Sequence, residues 1–314
     1  MTDITAIGEI LIDLTQTHIS DAGIPQFSAN PGGAPANVAV AASRLGAKTS
    51  FIGKVGTDGF GSYLRRILEK DHVDTKGLRP SSHPTTMAIV TLDDAGERSF
   101  QFIRGADIEL WPEEVNESDI LNSRILHFGS VSLTPGMSRS ATIFAARTAH
   151  REGRLVSYDP NYREALWRSR RDAVEWMTIP LPIVDIIKLS EEELPLLTNT
   201  SDLEEGSRIL EEKGISLILI TLGGEGAFCR WKGETFRVPG VPAKVVDTNG
   251  AGDTFLGAIL SRLCRREGNP LDGLEKAELK EMIEFANRAA SLTCSRSGAI
   301  PAMPDLAELE GAKK

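Results

Sequence analysis

Short apolar runs alternate with amphipathic segments along almost the whole chain. Few folds accept that pattern besides a mostly parallel sheet wrapped by helices. Residues 3–12 carry Ile4, Ile7, Ile10 and Ile12 and read as a buried first strand. Residues 34–45 place Val38, Ala41, Ala42 and Leu45 at helical spacing, with Pro35 near the start and Gly46 just past the end. Thr49–Lys54 is a short strand, and Phe60, Leu64, Ile67 and Leu68 mark another helix. Strands near 124–128, 154–158, 183–188 and 215–221 then alternate with helices near 137–151, 190–198 and 202–213. From Asp247 onward the pattern is mainly helical, down to a loop near Ser297–Pro304 and a charged tail.

Two regions break the rhythm. Residues 14–31 are polar and lack helical periodicity. Residues 85–104 read as a hairpin of two strands around Asp93-Asp94-Ala95-Gly96. A two-stranded ribbon is marginal alone, so it needs a partner: the 14–31 segment or another subunit. With no internal repeat and no low-complexity linker, residues 1–314 read as one domain with a small excursion. At 41% hydrophobic and 25% charged residues, the chain can bury a large α/β core.

The charge balance narrows the partners. Lys+Arg number 35 against 44 Asp+Glu, a net charge of -9, which argues against nucleic acid or an acidic membrane as the main partner. An anionic ligand then needs local donors that override the global field. Cys229, Cys264 and Cys294 form no CxxC, and this sparse, odd count fits a reducing cytoplasm. His18, His72, His83, His127 and His150 form no HxxxH or HExxH, so a protein-built transition-metal site is not expected. The N-terminus has no basic segment ahead of its apolar residues and does not read as a signal peptide. The run Ile215–Leu222 is too short to span a bilayer.

The sharpest local feature is Asp247-Thr-Asn249-Gly250-Ala251-Gly252-Asp253, continuing to Gly257 and opening a helix after a strand-like Lys244–Val246. Gly250, Ala251 and Gly252 have almost no side chain to block approach to their N–H groups. Successive free N–H groups at a helix start form an anion site. Asp253 beside such a site is badly placed to bind phosphate, since the charges repel. It is well placed to take a proton from a hydroxyl that attacks phosphorus. Taken alone, the segment reads equally as a glycine-rich turn with an acidic helix start. The second feature, Asn30-Pro-Gly32-Gly33-Ala-Pro-Ala-Asn37, also feeds a helix. Its glycines allow close backbone approach, and Asn37 offers a donor and an acceptor to a polyol, or is simply a solvated residue on a helix start. The chain has no GxxxxGK[ST], and no GxGxxG follows the first strand, so neither a P-loop nor a Rossmann dinucleotide site is expected.

Gly32-Gly33-Ala34-Pro35-Ala36-Asn37, with Gly46 and Gly56 downstream, resembles the first signature of the ribokinase-like (PfkB-type) carbohydrate kinases. Asp247–Gly257 resembles their second, about 200 residues later and in the right order. The resemblance covers nearly the whole chain. It implies a three-layer α/β fold with a small β lid built from about 14–31 and 85–104, a lid this family often uses for dimerisation. It implies ATP and Mg2+, and Asp253 as catalytic base beside the Gly250–Gly252 anion site. Gly8-Glu-Ile-Leu-Ile-Asp13 resembles the family's first strand, whose terminal Asp, here Asp13, binds sugar hydroxyls. Ile187-Lys188-Leu-Ser190-Glu-Glu-Glu193 resembles its Asn-x-x-Glu stretch, with Ser190 where Asn is usual. That assigns Glu193 to Mg2+ through water and Lys188 to phosphate. Thr221-Leu-Gly223-Gly-Glu-Gly226 resembles the nucleotide-side loop, and Asn287 matches an Asn often close to the adenine. Many members hold K+ beside the anion site. The matching segments here are Asp247–Asn249, with Asn249 where Thr is common, and roughly 293–302.

Within that family the chain looks most like the fructokinases. The runs behind this are Pro31–Ala39, Phe102-Ile-Arg104-Gly-Ala-Asp107, His127-Phe-Gly-Ser130 and Asp159-Pro-Asn161-Tyr-Arg163. The last two follow expected strands, where open α/β sheets place ligands. Asn161, Arg163 and Arg104 are therefore candidates for the sugar or the phosphoryl group; each arginine reads equally as a surface ion pair. 2-Keto-3-deoxygluconate kinase shares much of this pattern and would need one arginine for its carboxylate. A non-catalytic sugar-binding protein on the same fold is the competing class, disfavoured by the intact Asp253 and glycine run.

Overall fold

The structure, a computed structural model, describes residues 1–92 and 98–311. In chain order the elements are β1 (Thr2–Ile7), β2 (Leu11–Ile19), β3 (Pro25–Gly32), α1 (Ala34–Arg44), β4 (Thr49–Gly56), α2 (Gly59–Lys70), β5 (Leu78–Ser81), β6 (Met87–Leu92) and β7 (Arg98–Ile103). Then come α3 (Glu117–Leu121), β8 (Ser123–Gly129), α4 (Met137–Arg151), β9 (Leu155–Asp159), α5 (Arg170–Thr178), β10 (Ile186–Ser190), α6 (Leu194–Thr198) and α7 (Leu203–Glu212). The chain closes with β11 (Leu217–Thr221), β12 (Gly226–Trp231), β13 (Glu234–Pro239), α8 (Ala251–Leu263), α9 (Lys276–Cys294) and α10 (Leu306–Gly311).

Among the described residues, nine strands form one sheet in the order β13-β12-β11-β10-β9-β8-β1-β4-β5. It is parallel except where β12 and β13 close one edge as an antiparallel hairpin. Its central strands are buried on both faces, which is why they read as continuous apolar runs rather than alternating ones. Along β11, Leu217 and Leu219 join the cluster under α1, α8 and α9, while Ile218 and Ile220 join the cluster under α4 to α7. Helices therefore cover both faces, giving three layers. The strand order reverses at β1, whose neighbours are β4 on one side and β8 on the other. That reversal opens a crevice at the carboxyl ends of the strands.

The two segments that interrupt the alternation pair with each other. β3, β2, β6 and β7 form a second, four-stranded sheet in that order. The expected turn at Asp93–Gly96 lies outside the described residues.

The expectation of one strand over residues 3–12 is corrected. β1 ends at Ile7, and the chain crosses to the small sheet through Gly8, whose φ is +151°. Glu9 turns back beneath α1, where its Oε1 accepts from Ala34 N at 3.0 Å. Gly33, at φ +110°, passes so close that a Cβ there would come within 2.6 Å of the Glu9 carbonyl. Asp13 therefore sits inside β2 and does not end β1. Lys244–Val246 is not a strand; the backbone amides of Val246 and Asp247 donate to the Cys294 carbonyl instead. The helix expected near 190–198 starts only at Leu194, after a turn. β12 and β13 were not anticipated. Their signal is the two-residue turn Lys232-Gly233, both at positive φ, between alternating runs.

Candidate active site

Asp253 lies in the first turn of α8 and is 6% exposed. The turn before it is set by Gly250, left-handed at φ +75° and packed so closely on Ala299 that a Cβ would meet it at 3.0 Å. Ala251 N donates to Thr248 O, and the first helical bond runs from Thr254 N to the Gly250 carbonyl. The amides of Gly252 and Asp253 precede that ladder and make no backbone bond among the described residues. Gly257 lets α8 lie tightly against α1, since a Cβ there would come within 2.7 Å of Ala41. This crossing brings Asn37 to Asp253. Asn37 Nδ2 donates to Asp253 Oδ2 at 2.7 Å, and Asn161 Nδ2 lies 3.5 Å from Oδ1. Asn161 holds φ +43°, a backbone state uncommon outside glycine and asparagine.

Burial is the main reason that the Asp253 carboxyl titrates at about 6, well above its ordinary range. The Asp159 charge adds to the rise, while Lys188, the Asn37 amide and Arg163 oppose it. Asp13 is also raised to about 6, again chiefly by burial, with the Asn249 side chain and Arg163 pulling the other way. Gly32 makes room for it: a Cβ at 32 would come within 2.4 Å of Asp13 Oδ2. Asp13, Asn37, Asn161, Asn249 and Asp253 thus converge from β2, α1, the loop after β9 and the start of α8. Asp247 ties that start to the late loop, its carboxylate accepting from Asn249 N and Gly298 N at 3.1 Å each.

A second group lies around the ends of β10 and β11. Lys188 is 6% exposed and donates to Asp159 Oδ2 at 3.0 Å. Thr221 ends β11, and its carbonyl accepts from Glu191 N. Gly223 and Gly226 follow at positive φ, and Gly226 passes so close to Gly240 that a Cβ would meet its nitrogen at 2.4 Å. Asn287 lies beneath this loop and donates to the carbonyls of Val238 and Pro239 at 3.3 and 2.9 Å.

Two sequence-predicted residues are already bonded within the fold, and a third, Arg163, stays exposed near the site. Arg104 donates to Asp107 Oδ2 from Nε at 2.9 Å and from its terminal nitrogen at 2.6 Å, and to Thr134 Oγ1 at 2.8 Å. Glu193 accepts from Tyr162 N at 2.7 Å and Ser190 N at 2.8 Å, so both oxygens already staple backbone. Arg163 is exposed and donates to the Tyr162 carbonyl at 3.0 Å. Asp159, which in the sequence only heads the Asp-Pro-Asn run, is fully buried and paired with Lys188. An acidic residue at the carboxyl end of a central strand was the available signal.

A buried carboxylate beside a helix-start amide turn, on a three-layer α/β sheet, suits phosphoryl transfer to a hydroxyl. Comparison with known proteins agrees: residues 1–306 match the pfkB family carbohydrate kinases. The chain belongs to that family, and the ribokinase-like fold and the sugar-kinase activity expected from the two signatures are borne out. Fructokinase-1 of Zea mays is 40% identical over 98% of this chain and 96% of its own. The ATP-bound fructokinase of Xylella fastidiosa superposes with a TM-score of 0.91 at 31% identity, over 98% of this chain and 97% of that one. The fructokinase of Vibrio cholerae O395, in a fructose, ADP and calcium ion bound form, gives 0.88 at 33% identity, over 99% and 98%. A double mutant of the latter is solved in a fructose, ADP and potassium ion bound form, with a TM-score of 0.87 at 32% identity over the same shares. Among the described residues no helix is long and apolar enough to cross a membrane.

Proposed function

We propose that the protein transfers the γ-phosphoryl group of ATP to the primary hydroxyl of fructose, giving fructose 6-phosphate and ADP. The observation that carries this is Asp253: a buried carboxylate in the first turn of α8, hydrogen-bonded by asparagine amides and bordered by the Gly252 amide. Its raised proton affinity suits a base that works near neutral pH. Asp253 takes the hydroxyl proton as the sugar oxygen bonds to the γ-phosphorus. The bond from that phosphorus to the β–γ bridging oxygen breaks, and ADP leaves. The Gly252 amide of the Gly250–Gly252 turn, with that of Asp253, meets the charge that develops on the transferring group; the Ala251 amide is already bonded to Thr248 O.

Asp13, Gly32, Gly33, Asn37, Asn161 and Arg163 are assigned to the sugar. Lys188, Thr221, Gly223, Gly226 and Asn287 are assigned to the nucleotide. The fructokinase relatives support fructose. Arg104 is already paired with buried Asp107, which leaves Arg163 as the arginine that a 2-keto-3-deoxygluconate carboxylate would need.

Among the described residues no group of three or more His, Cys, Asp or Glu could hold a metal ion. That suits a Mg2+ that arrives on the nucleotide and offsets phosphate charge, with Glu193 reaching it through water by its remaining lone pairs. A K+ fits between Asp247–Asn249 and the 293–302 loop, which the Gly298 N to Asp247 bond joins. The small sheet acts as a lid on one kinase domain spanning the chain. Ile19, Ile24, Phe27 and Ile103, left exposed there, support a homodimer through that lid. We place the protein in the cytoplasm.

ADP release with fructose, 2-keto-3-deoxygluconate and ribose, beside a nicotinamide absorbance control, tests the reading. Fructose should give the highest kcat/KM. A higher value with the keto acid, or sugar binding with no ADP release, overturns it.

A further inference from the structure

Beneath the start of α8, three adjacent strands carry a row of polar residues inside the core. His127 pairs in register with Ser157 on β9, and Asp159 and Lys188 stand two residues further along β9 and β10. All four are buried, between 0% and 6% exposed. His127 Nδ1 lies 3.1 Å from Ser157 Oγ, and burial first, then Lys188, pushes the imidazole down to about 3, so it is neutral. Lys188 is the opposite case. Burial works against its ammonium, but Asp159, Glu193 and Asp253 together hold it charged.

A charge buried this deeply needs a reason, because burying an ion pair rarely stabilises a fold more than packed apolar side chains would. Here the pair points at the reaction centre. Lys188 Nζ touches the space above Gly252, where a Cβ would approach it to 2.6 Å. Asp159 holds that nitrogen through Oδ2 only, and its Oδ1 is buried with no partner among the described residues. A carboxylate left half-satisfied in the core is costly, and such groups persist where a neighbouring function depends on them.

We propose that Asp159 is a positioning residue of phosphoryl transfer: it pins the Lys188 ammonium against Gly252, facing the transferring phosphoryl group, and stands as a second fixed carboxylate behind Asp253. The inference rests on the kinase reading above. Four charged groups face Asp253: Asp13 from β2, Asp159 from β9, Lys188 from β10 and Arg163 from the loop after β9. Neutralising the second and the third of these therefore moves the base in opposite directions.

Asp159→Asn keeps an acceptor for Lys188 and removes one negative charge. Lys188→Met leaves Asp159 unpaired. The first readout is the ¹³C titration of the Asp253 carboxyl, assigned by its loss in Asp253→Asn, and it needs no turnover. Asp159→Asn should move the midpoint down by on the order of one pH unit, and Lys188→Met should move it up. The second readout is steady-state kinetics with fructose. Asp159→Asn should lower kcat by on the order of tenfold, and Lys188→Met by about a hundredfold, each with fructose KM near wild type.

An unmoved midpoint in whichever variant folds overturns the proposal, as does a normal kcat in Asp159→Asn. A purely structural Asp159 would lower the melting temperature and leave kcat near wild type, whatever the midpoint does. Wild-type protein that releases no ADP with any sugar sinks the kinase reading instead, while the titration still decides the charge arrangement.

Discussion

The two sheets bury their residues differently, and the candidate site spans both. In the large sheet, β11 is buried from Leu217 to Ile220 because helices cover both faces. In the small sheet, β2 starts with buried Leu11 and Ile12 and ends with exposed Thr17, His18 and Ile19. The first arrangement fixes positions to within packing tolerance. The second leaves strands that can shift. The proposed reacting groups sit on the two-sided frame: Asp253 and the amide turn at the start of α8, Asp159 and Lys188 on β9 and β10. Asp13 and Gly32 sit on the small sheet, where it joins the frame. Fixed geometry suits the transfer step, and a half-open sheet suits the lid proposed above.

The largest effect should come from the rigid part. Asp253→Asn keeps the shape but cannot accept a proton, so turnover should fall by about 10²–10⁴-fold in the ADP-release assay while fructose and ATP still bind. Near wild-type turnover would break the assignment of the base. The same carboxylate sets a pH dependence. With Asp253 and Asp13 both raised to about 6, the base is protonated below that pH, so kcat/KM should fall with falling pH and level off above it. The two carboxyls interact, so the apparent values belong to the pair.

Next in size are substitutions that set one sheet against the other. Leu219→Ala, at a fully buried position, should destabilise the fold by about 2–5 kcal/mol in denaturant unfolding. Ile19→Asp, at a 61% exposed position, should change unfolding by less than about 0.5 kcal/mol. It should nevertheless reduce the mass in light scattering to the single-chain 34.0 kDa if the small sheet is the dimer surface. A dimer that survives Ile19→Asp would move that surface elsewhere.

Sugar binding should sharpen the contrast further. Amide exchange in 11–32 and 86–103 should slow with fructose bound, while β9 to β11 change little. Unchanged exchange in the small sheet, with sugar demonstrably bound, would remove the lid from the account. The smallest expected effect is that of the monovalent cation. K+ should raise activity over Na+ at matched ionic strength, by holding the Gly250–Gly252 turn in register. Equal rates in K+, Na+ and a bulky organic cation would show that the turn needs no ion.

Much of this was legible in the chain. Two-sided burial writes itself as short apolar runs, and amphipathic helices write their own period, so the layered α/β class followed from pattern alone. The glycines before Asp253 and before Asn37 marked both helix starts where backbone must come close. Tertiary structure alone decided what those starts meet. Asn37 and Asp253 are 216 residues apart, and only the tight crossing of α1 and α8 at Gly257 joins them. The break at Gly8 was invisible because Ile4, Ile7, Ile10 and Ile12 are all buried, though two different sheets bury them. Nor could spacing show that Asp159 takes Lys188 or that Arg104 is committed to Asp107. Periodicity reports how much water a residue avoids. It carries no record of which distant side chain fills the same space, and charge pairing depends on that.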